Sequence, residues 1–73
     1  MLNEEEKLKQ LGRNIAKQRK FKDLSQNQLA EMLDISREHL AKIETAKRGI
    51  SINLLFKLCN SLNISEKKLF DFK

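Results

Sequence analysis

The 73-residue chain has no proline, no tryptophan and no tyrosine, and it has only two glycines, one cysteine and one histidine. So little turn-forming material favours an all-helical fold. A single cysteine cannot make an internal disulfide, and a reducing cytoplasm is the simplest setting. No apolar run approaches the ~18 residues a membrane span requires, so no membrane partner is expected. The acidic start, MLNEEEK, lacks the apolar stretch of a signal peptide. Catalysis has little to work with: there is no paired catalytic spacing, no P-loop and no glycine-rich phosphate cradle. His39 and Cys59 fall on different expected helices without supporting ligands, so neither a metal nor another cofactor is expected. An enzyme is therefore the weakest class.

What the chain does have is charge. Fifteen Lys and Arg against ten Asp and Glu give a net charge of +5. Residues 11–22 hold five basic side chains (Arg13, Lys17, Arg19, Lys20, Lys22) and no acidic one. Residues 23–36 hold three acidic and no basic side chains, and residues 37–48 are again net basic. This alternation suits a polyanion whose phosphates lie on either side of a groove, or simply solvated helices rich in lysine.

The helical pattern begins at Asn3, a cap followed by Glu4, Glu5 and Glu6, whose charge suits a helix N-terminus. Leu8, Leu11 and Ile15 form its buried stripe. Gly12 inside this helix predicts close packing by another helix, and the helix should end near Phe21. Later in the chain, Gly49 is expected to turn the backbone with positive φ. Ser51 caps a helix with the inward stripe Ile52, Leu55, Leu58, Cys59 and Leu62. Cys59 reads as a small buried hydrophobe. Asn63 ends that helix, and Ser65 caps a short fifth one over residues 66–71. Leu54, Phe56, Phe70 and Phe72 are apolar residues to spare. They suit a homodimer interface, or the closing of a small core.

The chain is organised around residues 25–48, SQNQLAEMLDISREHLAKIETAKR. Ser25 and Gln28 make a capping box, and Leu29, Ala30 and Leu33 share one face. Asp34 and Ile35 break the pattern. Ser36 caps a second short helix buried through Leu40 and Ile43. Two short helices joined by a tight turn make a helix-turn-helix. With Arg37 at 0°, the core side of the second helix lies near roughly 270°, while Ala41, Thr45, Glu38 and Lys42 fall between roughly 40° and 140°. Such a face suits either the major groove of DNA or plain solvent.

These residues resemble the Cro and phage-repressor class of helix-turn-helix DNA-binding proteins, the XRE family. The likeness runs from Leu11 to Phe70. It is carried by LGRNIAKQRK, LSQNQLAEMLDIS, REHLAKIE and SINLLFKLCNSLNISEKKLF. It implies an all-α, compact five-helix bundle of the phage-repressor type, forming one domain over residues 1–73. It also implies a transcriptional regulator that binds double-stranded DNA as a dimer on a palindromic operator, with no small-molecule effector domain. Arg37, Glu38 and Lys42 match base-reading positions. Gln26 matches a phosphate contact that braces the reading helix, and Ser36, Thr45, Lys47 and Arg48 match further positions near phosphates. Arg19 and Glu44 match a structural ion pair. Asp23, Asp34 and Asn63 stand where the family commonly has glycine, and both residue types tolerate left-handed backbone. The short chain and its Gly-Ile-Ser approach to the fourth helix are similar to controller proteins of restriction–modification systems, although small phage repressors fit nearly as well. A helical protein-interaction module, such as an antitoxin, is the alternative from another class.

Overall fold

The computed structural model describes residues 2–72; Met1 and Lys73 lie outside the described residues. Four α-helices follow one another: α1 (Glu4–Phe21), α2 (Gln26–Leu33), α3 (Arg37–Glu44) and α4 (Ile52–Leu62). A single 3-10 turn, Glu66–Lys68, closes the order, and the described residues contain no strand. None of the helices among the described residues is long and apolar enough to cross a membrane.

Each helix starts where a short polar side chain can take up a free backbone N–H. Asn3, Ser25, Ser36 and Ser51 accept from Glu6, Gln28, His39 and Leu54 at 2.8–3.1 Å. At Ser25 the capping box is complete, since its own N–H donates to Gln28 Oε1 at 2.8 Å.

The helix ends share one geometry. After α1, α2, α3 and α4, the residues in the left-handed region are Asp23, Asp34, Ala46 and Asn63, with φ between 55° and 62°. In each case that residue and the next donate back to the last helical turn, as in Lys47 N–H to Lys42 O at 2.8 Å and Ile64 N–H to Cys59 O at 3.0 Å. This is the Schellman motif, built here without glycine at any of its four left-handed positions. After α1, α2 and α4 the following residue is apolar (Leu24, Ile35, Ile64) and packs on the core. After α3 it is the exposed Lys47.

The expected positive φ at Gly49 is not found, because no glycine has one. The chain reverses three residues earlier, at Ala46, directly after α3. Left-handed backbone costs a non-glycine residue about 1–2 kcal/mol, and alanine has no polar side chain to offset it. Ala46→Gly is therefore expected to stabilise the fold by about 1 kcal/mol in thermal melting, and Asp34→Gly by less. A loss of stability in either variant would show that the reversal is held by something other than backbone geometry.

The core joins Leu11 and Ile15 of α1, Leu29 and Leu33 of α2, Leu40 and Ile43 of α3, and Leu55, Leu58 and Leu62 of α4, with Leu69 from the tail. Helix α1 packs on α3, α2 packs on both α3 and α4, and α4 meets the 3-10 turn. Cys59 is fully buried, and that burial, together with the Glu66 carboxylate, pushes its thiol pKa up. Ile52, expected to face inward, is 60% exposed. As the first residue of α4 it stands at the edge of the packed body.

The fifth helix shrinks to the three-residue 3-10 turn. The tail after it lies against α1. Asn14 Nδ2 donates to the Leu69 carbonyl at 2.8 Å and to that of Asp71 at 3.4 Å. Leu69 meanwhile sinks to zero exposure. The tail is thus held against α1 by these bonds and by the burial of Leu69.

Candidate nucleic-acid interface

Helix α3 is held from behind by a buried pair. Arg19 Nε donates to Glu44 Oε2 at 2.8 Å, and one terminal nitrogen of Arg19 reaches Glu44 Oε1 at 3.3 Å. The other terminal nitrogen donates to the Leu24 carbonyl at 2.7 Å. Both residues of the pair are less than a tenth exposed. One fork therefore ties the end of α1, the link into α2 and the last residue of α3. Gly12 lets α1 come this close: a Cβ there would stand 2.6 Å from the Glu44 carbonyl oxygen and 2.7 Å from that of Ile43.

Gln26 extends the network towards the surface. Its Nε2 donates to Glu44 Oε1 at 2.9 Å. The carboxylate only accepts, so it fixes which end of the amide points inward. The Gln26 Oε1 is then left facing outward, where a terminal nitrogen of Arg37 donates to it at 3.4 Å. A continuous chain runs from the buried ion pair to the first residue of α3.

Around that point the surface is polar and open. Arg37, Glu38, Lys42, Thr45, Lys47 and Arg48 are all exposed, and Ala41 between them is half-buried. Glu38 and Lys42 form an exposed ion pair at 3.4 Å, one helical turn apart. Two expected phosphate contacts are occupied within the protein. Ser36 Oγ accepts the cap N–H, and the Thr45 hydroxyl donates to the Ala41 carbonyl at 2.8 Å. The Ser36 hydroxyl keeps its proton for an outside acceptor, whereas Thr45 must turn its own to reach one.

The apolar candidates divide. Leu54 is half-buried and packs on the core, while Phe56 is 48% exposed beside Ile52, one turn earlier in α4. Phe70 and Phe72 meet edge to face at 5.8 Å. They line a groove of about 290 Å³ with Leu8 and Leu11, and Glu4 and Lys7 stand at it. Two contributors lack a local sequence signal: Asn14, which clamps the tail, and Leu24, whose carbonyl completes the Arg19 fork.

A capped eight-residue helix with an open polar face, braced across a tight turn from the helix before it, forms a helix-turn-helix unit. Comparison with known proteins agrees. The helix-turn-helix family model matches residues 15–69. The chain is 38% identical over 60 residues to the control protein C.MunI of Mycoplasma sp, covering 81% of each. The restriction–modification controller protein C.AhdI of Aeromonas hydrophila superposes with a TM-score of 0.82 at 30% identity, over 86% of this chain and 96% of that one. The biofilm regulator SinR, solved in complex with DNA, gives 0.77 at 32% identity, over 84% of this chain and 98% of that one. The chain belongs to the helix-turn-helix family.

Proposed function

We propose that this DNA-binding transcriptional regulator acts as a homodimer on a palindromic operator, with α3 in the major groove, in the manner of a restriction–modification controller protein. The observation that carries this reading is the tether from the buried Arg19–Glu44 pair through Gln26 to Arg37. It presents a guanidinium at the start of α3, where helices of this kind reach base edges. Arg37 donates to O6 and N7 of a guanine, and such a pairing contributes about 1–3 kcal/mol of discrimination. Lys42 reaches a second base edge or a phosphate. Gln26, Ser36, Thr45, Lys47 and Arg48 set the register on the backbone. Ile52 and Phe56, or the Phe70–Phe72 groove, supply the contact between copies, and Leu54 supports it from the core. A groove with one acidic and one basic residue beside it suits two-fold self-pairing, since each charge can face its opposite on the second copy.

Selection of bound sequences from a random DNA pool tests this reading. The expected result is a palindrome with half-site centres about one helical turn, roughly 34–36 Å, apart. Failure to enrich any motif would overturn it.

Glu38 has the wrong charge for phosphate. Its pairing with Lys42 withholds one positive charge from random DNA. Glu38→Ala is expected to raise affinity for random DNA more than for the operator, and to steepen the salt dependence on random DNA. Titrations at two salt concentrations check this, and equal gains on both DNAs would refute it.

A further inference from the structure

On the flank of α1 turned away from α3 there is a cleft of about 590 Å³. Asn14, Lys17 and Gln18 form one wall, and residues of the 3-10 turn and tail, among them Lys67, Lys68 and Phe70, form the other. Around α1, Lys17 lies roughly 140–160° from Gly12 and Arg19, the residues that face α3. The cleft therefore lies on the solvent side of α1, opposite its packed contact with α3.

Three lysines face one acidic group there, Asp71. Lys17, Lys67 and Lys68 are exposed and make no ion pair among the described residues. The cleft is preformed, because Asn14 holds the tail that makes its far wall. It contains no arginine fork, the usual device for gripping a single compact phosphate. Separate ammonium groups on two walls suit separate carboxylates along an extended chain, and the Phe70 ring offers apolar area beside them. Phe70 alone is shared with the apolar groove of Leu8, Leu11 and Phe72, so the two surfaces otherwise stand apart.

We propose that this cleft, which takes no residue from α3, docks an acidic peptide segment of a partner protein. The proposal rests on the recognition face assigned above, and operator binding is measured separately so that the two can fail independently. The test is a titration of the 15N-labelled protein, free and bound to its selected operator, with a short poly-glutamate peptide. In both states the shifted amide signals are expected at Asn14, Lys17, Gln18, Lys67 and Lys68. The double variant K17E/K68E should weaken peptide binding by about tenfold or more and operator binding by far less, both measured at a salt concentration that screens long-range charge. K17Q/K68Q should lose peptide affinity in the same direction, and it serves if the charge reversal disturbs folding. Absence of binding would overturn the proposal, as would shifts that centre on residues 37–48 and vanish once DNA is bound. A parallel loss of operator affinity in the variants would assign the lysines to DNA and overturn it equally. If no operator is selected, the titration of the free protein still decides.

Discussion

Arg19→Ala is expected to lose about 3–5 kcal/mol of stability, because it leaves Glu44 buried without its cation. It also strips the Leu24 carbonyl of a donor at 2.7 Å. A domain of this size shifts its melting temperature by about 4–8 °C per kcal/mol, so the transition should fall by well over ~10 °C, or vanish at ambient temperature. A loss below about 1 kcal/mol would mean that the pair behaves like an exposed one. The paired replacement Arg19→Met with Glu44→Leu separates two roles. Apolar side chains of similar volume often restore the stability that a broken ion pair loses. Gln26 would then lose the carboxylate that orients its amide, and Arg37 would lose its fixed acceptor. The double variant should therefore fold well and still discriminate its operator less sharply than the native protein.

Gly12→Ala runs against its own helix propensity. Within an isolated helix the change would gain about 1 kcal/mol. Here the new Cβ would sit under 3 Å from two backbone carbonyl oxygens, those of Ile43 and Glu44, and backbone yields less readily than a side chain. Helices α1 and α3 must move apart, and overpacking of this kind costs about 1–3 kcal/mol. The displaced segment is the last turn of the reading helix. Operator affinity measured well below the melting transition should accordingly fall even where the protein remains folded. Melting and operator titration together check this, and an alanine variant as stable as the native protein would refute it.

The two glycines show where sequence is legible and where it is not. Gly12 sits in a helical pattern that does not need it, which flags a close neighbour without saying which. Gly49 looked like the turn residue, yet Ala46 makes the reversal, and alanine carries no mark of left-handed backbone because it is also the best helix former. The four helix starts could be read because capping is local: a short side chain bonds an N–H three residues on. The fifth helix failed for the opposite reason. The path of that segment depends on distant contacts, such as that of Asn14, 55 residues away from Leu69 in sequence. Within the site, the exposed face of α3 followed from periodicity, whereas the pairing of Arg19 with Glu44 came only with the family resemblance. The contact from Gln26 to Glu44 links residues 18 apart, and no helical repeat reports it.

The clamp of Asn14 on the tail also bears on when the molecule can come into being during synthesis. Leu69 is a fully buried core residue, and its carbonyl is held by a helix that left the ribosome much earlier. While residue 69 is still inside the exit tunnel, the early helices expose the apolar surface it will cover. The core therefore reaches its full packing only once this late segment has emerged.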